Sequence, residues 1–368
     1  MTSRERILAT LRFQPTDRLP VDLMEGSVWP ELQEYFRAHH ALQNGGQVQD
    51  HLGTDCRWVG LRYVGPDRDN PPSTDAKRAE RMYSGQFLGA SLADAQTVAD
   101  VEKRKWPDPA WLVPGDFRAA RERWPEHALV FGHSWMPLFW TACQEFGMEE
   151  ALVKMHTQPA VFEAFVSRQH DYYMDILSRA LEAGRGLCDI CWLGDDYAGQ
   201  TQMMFSPELW RKLIKPYLSQ QAALAHRHGL YVFFHSCGNI RSILPDLIDI
   251  GINAHLVFQT TADEMDAHSI ARDFGGRLAF YGGMDVQHLL SFGTPGDVAE
   301  TVRNNAQAFE KHGGYIVANS HHGVSTIKGE NIEAMCNAAR RPPAPGTRPA
   351  CQPPNQISYQ WPVQRHLP

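Results

Sequence analysis

The sequence predicts a single α/β chain folded as a (β/α)8 barrel, and three observations carry that prediction. Short apolar runs alternate with longer helical segments, at least seven such runs occur, and no composition shift divides the chain before Arg340. Strands repeatedly followed by crossover helices imply a parallel sheet. Seven or more of them in one chain imply a closed ring rather than an open sheet.

Ile7, Leu8 and Leu11 recur at helical spacing, so the chain should begin with a helix. The expected strands are Leu19–Leu23, Leu129–Gly132, Leu187–Trp192, Leu230–Phe234, Ala254–Phe258, Leu278–Tyr281 and Tyr315–Ala318. An eighth strand is not evident. The stretch 47–93 has few helical signals and many turn residues, and reads as an insertion after the first strand, in the form of a β-hairpin. Ser206-Pro207 opens a helix that should run to His228, with serine at the N-cap and proline at the first helical position. Thr294-Pro295 opens another, ending near Lys311, with Asp297 as its capping partner. Gly229, Gly251, Gly275 and Gly313 stand where helices should stop. Residues 1–340 therefore read as one barrel domain. Residues 341–368, rich in proline and poor in apolar periodicity, read as a disordered tail.

A net charge of −7, spread along the chain, excludes the concentrated basic face that nucleic acid requires. No run approaches the roughly 18 apolar residues of a membrane span. The N-terminus lacks the apolar segment of a signal peptide, so the expected location is the cytoplasm. Seven cysteines at irregular spacing do not form a disulfide framework; a useful one is a ligand, a nucleophile or core. Cys188-x-x-Cys191 has a redox or metal spacing, but in a strand its two side chains face opposite ways and pack as core.

In such a barrel, function belongs to the loops after the strands' C-terminal ends. Those loops carry Glu25, His133, Asp195 and Asp196, His235 and Cys237, Gln259, Asp285 and Gln287, then Asn319, His321 and His322. His235 and Cys237 are two apart on an extended chain and so point the same way. Imidazole and thiolate together suit zinc, whose further ligand would come from His321 or His322. The alternative is a histidine bonded within the mouth beside an ordinary buried cysteine. Asp195 and Asp196 could bind a cation, orient a histidine or handle protons; equally, one aspartate could cap the helix near Ser206. Trp29, Trp135 and Trp140 either wall the pocket or pack the core.

The segments TSRERILATLRFQPTDRLPVDL, GDDYAGQTQMMFSPELWRKLIKPYL, HSCGNIRSILPDLIDIGINAHLVFQ, GGMDVQHLLSFGTPGDVAETVRNNAQAF and GGYIVANSHHG occur in unbroken order. Together they resemble the uroporphyrinogen decarboxylase superfamily from about Thr2 to Ala339. The resemblance implies a (β/α)8 barrel. True uroporphyrinogen decarboxylases carry an arginine-rich RQAGRY-type motif after the first strand, whereas this chain reads VDLMEGSVWP there. The superfamily's other branch moves methyl groups between a corrinoid protein and a thiol or tetrahydrofolate. Its thiol-using members bind zinc through a His-x-Cys pair and a cysteine after the seventh strand. His235 and Cys237 match that pair, but the later cysteine is replaced by Asn319-Ser320-His321-His322.

The resemblance thus implies a methyltransferase. His133, Asp195, Asp196, His235 and Asn319 are its expected catalytic residues, and Glu25, Gln259, Asp285, Gln287 and His322 should bind substrate. His235, Cys237 and His321 should hold zinc. Its expected partners are a corrinoid (cobalamin) protein and a small-molecule methyl acceptor, and a second copy of the chain in a homodimer. A decarboxylase of polycarboxylates and a non-catalytic tetrapyrrole-binding barrel are the rival functions.

Overall fold

A computed structural model describes residues 1–65, 91–104, 106–132 and 135–341. In chain order the strands are β1 (Cys56–Val59), β2 (Leu61–Tyr63), β3 (Leu112–Pro114), β4 (Ala128–Phe131) and β5 (Ile190–Gly194). They continue with β6 (Tyr231–His235), β7 (Ala254–Phe258), β8 (Ala279–Met284) and β9 (Tyr315–Asn319). Seven form one parallel sheet in the order β1-β4-β5-β6-β7-β8-β9, and β2 pairs antiparallel with β3. The result is an α/β fold with a curled parallel sheet.

The expected first strand, Leu19–Leu23, is present only as a single parallel bridge between Val21 and Val317 of β9. Its other edge meets the residue before β1, where the Asp55 N–H donates to the Val21 carbonyl at 2.8 Å. The strand that the apolar pattern does not reveal is β1, Cys56-Arg57-Trp58-Val59. Its arginine and tryptophan obscure the pattern, yet Arg57 is 1% exposed because its guanidinium bonds Thr54, the Cys56 carbonyl and Asp50. The stretch 47–93 also begins inside a helix, Gly45–Leu52, capped by Asn44. Among the described residues of that stretch no hairpin forms; Leu61–Tyr63 instead pairs antiparallel with Leu112–Pro114, which lies beyond it. Residues 66–90, the rest of the expected insertion, lie outside the described residues, as do 342–368 of the expected tail.

Strand alternation sorts the core into two compartments. Val130, Ile190, Trp192, Phe233, Leu256, Tyr281 and Ile316 fill the inside of the sheet, joined by Ile7 and Leu11 of the first helix. Leu129, Phe131, Cys191, Val232, Phe234, Phe280 and Val317 face outward and pack beneath the helices. Cys188 and Cys191 are both buried core, but only Cys191 lies in a strand; Cys188 precedes β5, and both pack in the outer compartment rather than on opposite faces. The period of two fails once, in β7. Val257 takes φ 58°, the register with β8 shifts, and both Leu256 and Val257 join the inner core. Such a bulge flips the parity of the residues beyond it, so Gln259 turns inward at the strand end.

Both expected helix starts occur, Ser206 capping Pro207–Leu213 and Thr294 forming a capping box with Asp297. The helix expected to run from Ser206 to His228 is two, broken at Ile214, before Pro216 opens Lys215–Arg227. Proline supplies no N–H to continue the first helix.

Candidate active site

The seven parallel sheet strands and the Val21 segment end on one rim, and alternation decides which side chains enter the mouth. On β6, Phe233 is inward, so His235 is inward and Cys237 continues the same face. On β5, Trp192 is inward, which turns Asp196 inward and Asp195 outward. Gly238 then makes a sharp exit at φ 77°, and a Cβ there would sit 2.3 Å from the Gly199 carbonyl oxygen. Gly194 serves by its missing side chain, since a Cβ would meet Trp135 at 2.8 Å and His235 at 3.0 Å. The Trp135 ring thereby stacks edge-on against His235, 4.8 Å between centroids.

The inward groups converge. His235 Nε2 lies 3.6 Å from Cys237 Sγ and 3.6 Å from Asp196 Oδ1. Asp196 Oδ1 also accepts the Cys237 N–H at 2.9 Å. On the other side, His235 Nδ1 is 3.9 Å from Glu25 Oε1, and His322 Nε2 is 3.4 Å from Glu25 Oε2. Glu25 holds this position at φ 54°, an unusual backbone conformation for a residue with a side chain. The loop that carries it is tied by Asn319, whose Oδ1 accepts the Met24 N–H at 2.9 Å while its Nδ2 donates to the His321 carbonyl. Gln259 links three loops: its Oε1 accepts from Gln200 and from the Gly238 N–H, and its Nε2 donates to the Ser320 carbonyl at 3.5 Å.

Electrostatics separate these groups. Burial, then the negative charge of Asp196, pushes the Glu25 carboxyl up to about 8. Burial also acts on Asp196, but the adjacent His235, the Cys237 N–H and the nearby His321 together outweigh it and hold that carboxyl below its usual value. Burial, Asp196 and Glu25 push the Cys237 thiol well up. Burial and the neighbouring His235 lower His321. An acid-rich pocket with a suppressed thiolate is one that a cation would complete.

The donor set fits zinc. Bond lengths of about 2.0–2.3 Å around a tetrahedral zinc place ligand atoms about 3.3–3.6 Å apart. The ligand atoms of Asp196, His235 and Cys237 all lie within 4.8 Å of one another, and the two distances from the imidazole are close to the tetrahedral spacing. The third member of the group is the Asp196 carboxylate; His321, the expected third ligand, stands outside it, near enough for its charge to act on Asp196. Adjacent donors on β5 and β6 were readable from strand parity, but pairing across the two strand ends was not.

The remaining expected residues divide. Asp195 is 2% exposed and points away, its carboxylate accepting the N–H groups of Leu138, Phe139, Trp140 and Asp196. It caps a helix, one of the roles open to it from the sequence, but the helix is Phe139–Phe146 rather than the one near Ser206. Burial pushes this carboxyl up to about 7 against the pull of the backbone donors from Trp140 and Phe139. Asp285 likewise turns back to accept from the N–H groups of Gln287, His288 and Leu289, and Gln287 is exposed. His133 lies outside the described residues. Trp29 is 6% exposed, and Trp140 is half-buried. Trp192, Trp58 and Asp22, which no sequence motif marks, form the floor: Trp192 lies 5.9 Å from Trp135, and Trp58 Nε1 donates to Asp22.

Comparison with known proteins adds an independent line. The sequence profile described as uroporphyrinogen decarboxylase (URO-D) matches residues 94–342. No curated protein sequence matches the chain significantly. Among solved structures, a methyltransferase from Methanosarcina mazei superposes with a TM-score of 0.61 at 17% identity, covering 92% of this chain and 98% of that one. A D-psicose 3-epimerase, solved in the presence of D-fructose, reaches a TM-score of 0.36 at 11% identity over 78% of this chain and 88% of its own. Among the described residues no helix is long and apolar enough to cross a membrane.

Proposed function

The chain belongs to the uroporphyrinogen decarboxylase family, and from that premise we propose that it is a methyltransferase moving a methyl group between a corrinoid protein and a thiol or tetrahydrofolate acceptor. One observation carries the reading: an imidazole, a thiol and a carboxylate meet at the mouth with the spacing of zinc ligands. The solved methyltransferase that shares the fold agrees with it. The barrel is read as closed, with Val21 as the stave between β9 and β1.

Asp196, His235 and Cys237 would hold zinc and leave its fourth position open, as catalytic zinc requires. Zinc there would lower the pKa of an acceptor thiol and so favour its nucleophilic form. Asp196 fixes the loop of Cys237 through its N–H bond. Glu25 stands behind His235, oriented toward the far ring nitrogen, in the place where a carboxylate steadies a ligating histidine. His322, in contact with Glu25, is placed to take the proton that an acceptor thiol releases. Asn319 and Gln259 position these loops rather than touch the reacting atoms. Trp135 and Trp192 keep the side of His235 dry.

The decarboxylase reading wants basic groups to grip a polycarboxylate. Arg57 is consumed by Thr54 and Asp50, Lys328 by the Gly293 carbonyl, and Arg62 is exposed on β2. Methyl transfer from free methylcobalamin to a small thiol tests the proposal. Zinc-dependent turnover that Cys237→Ala abolishes is expected. Zinc-loaded, folded protein without turnover on either thiols or tetrahydrofolate, but with loss of carbon dioxide from a polycarboxylate, would overturn it.

A further inference from the structure

Outside the mouth, the helical layer holds a second convergence of ligand atoms. His40 ends the helix Pro30–His40, His51 lies in the last turn of Gly45–Leu52, and Glu333 lies in Gly329–Arg340. Glu333 Oε1 is 3.0 Å from His40 Nε2 and 3.1 Å from His51 Nε2, and the three ligand atoms lie within 4.8 Å of one another. We propose that His40, His51 and Glu333 form a second divalent-cation site, suited to zinc or a similar borderline metal.

The donor chemistry supports this first: two imidazoles and one carboxylate are a zinc donor set, and imidazole excludes calcium and magnesium as preferred ions. Preorganisation supports it second. The other oxygen of Glu333 accepts the Tyr35 hydroxyl at 2.9 Å, an outer contact that aims Oε1 at the histidines. Both imidazoles pack on the buried Phe36 ring, at 5.4 and 5.5 Å between centroids, and stand 4.5 Å from each other. The three side chains keep 30%, 34% and 22% of their exposure, so an ion has an entry path and room for water ligands. Each neutral imidazole can keep its proton on Nδ1 and present Nε2 to the metal.

The three ligands also join helices near the two ends of the described chain. Arg340 strengthens the same seam by donating to the His51 carbonyl at 3.1 Å. An ion here would act as a staple that binds the folded state and not the unfolded one, and would raise the melting temperature by mass action. The site needs nothing from the proposed chemistry at the mouth.

The test uses the full chain carrying Cys237→Ala, which disables the donor set at the mouth. Metal-stripped protein is titrated with zinc by calorimetry, and melting is followed with and without zinc. Saturable binding of one ion is expected, with a rise of several degrees in melting temperature. Glu333→Gln, which preserves shape and the Tyr35 contact, and His40→Asn, at an exposed helix end, should each weaken binding about ten-fold or more while circular dichroism stays unchanged. No saturable binding, or variants that bind zinc as tightly as their Cys237→Ala parent, overturns the proposal and leaves a hydrogen-bonded His–Glu–His contact.

Discussion

Replacing Asp195 by asparagine alters one atom, and the structure assigns a cost to it. Oδ2 accepts from the N–H groups of Leu138 and Phe139 at 2.9 and 2.7 Å, and Oδ1 from those of Trp140 and Asp196 at 2.9 and 3.0 Å. In asparagine one oxygen becomes an NH2 group, a donor facing two donors. Two buried N–H groups lose their acceptor at about 1–3 kcal/mol each, so the variant should lose about 2–6 kcal/mol. That is a large part of the roughly 5–15 kcal/mol that holds a typical protein together. The neighbouring Asp196→Asn keeps an oxygen for the Cys237 N–H and should lose less than about 1 kcal/mol. Urea unfolding followed by circular dichroism measures both. Equal losses at the two positions, or an Asp195→Asn loss under about 1 kcal/mol, would refute the assignment of one aspartate to the helix and the other to the mouth.

Other perturbations reach different parts of the molecule. Asp22 is fully buried, and burial raises its carboxyl from 3.8 to about 7. A raised acid contributes stability that is complete below its unfolded pKa and lost as pH rises through the folded one. Wild-type stability should therefore fall between about pH 4 and 7 relative to Asp22→Asn, by about 2–4 kcal/mol; parallel pH profiles would contradict this. Gly238→Ala puts a methyl group 2.3 Å from the Gly199 carbonyl oxygen at a positive φ. It should lose more than about 2 kcal/mol in urea and release metal from the mouth; a stable variant with full metal content would show that the loop can move. Asn319→Ala should raise KM more than it lowers kcat, because it frees the Met24 and His321 backbone without removing a reacting group. A purely kcat effect would put Asn319 among the reacting groups.

Much of the sheet was legible because parallel strands buried on both faces leave apolar runs of characteristic length. The strand Cys56–Val59 was not, because Arg57 is buried by local hydrogen bonds that no hydropathy pattern displays. Leu19–Leu23 looked like a full strand, yet Pro20 and the turn at Glu25 leave one bridge. At the site, period two correctly paired His235 with Cys237. The same rule applied to β5 separates Asp195 from Asp196, but it needs the strand's end to be known to a residue. The bulge at Val257, which turns Gln259 inward, leaves no mark in the sequence. The cluster of His40, His51 and Glu333 escaped notice because its members are far apart in the chain and meet only when the helices pack.

The central claim is that Cys237 ligates a metal beside His235 and Asp196. Cobalt(II) substituted into the protein tests it directly, since only thiolate ligation gives an intense sulfur-to-cobalt charge-transfer band in the near ultraviolet. Ligation by Cys237 predicts that band in the wild-type protein, its loss in Cys237→Ala, and its persistence in Glu333→Gln. Cobalt-loaded wild-type protein without the band, or a band that survives Cys237→Ala, would contradict it.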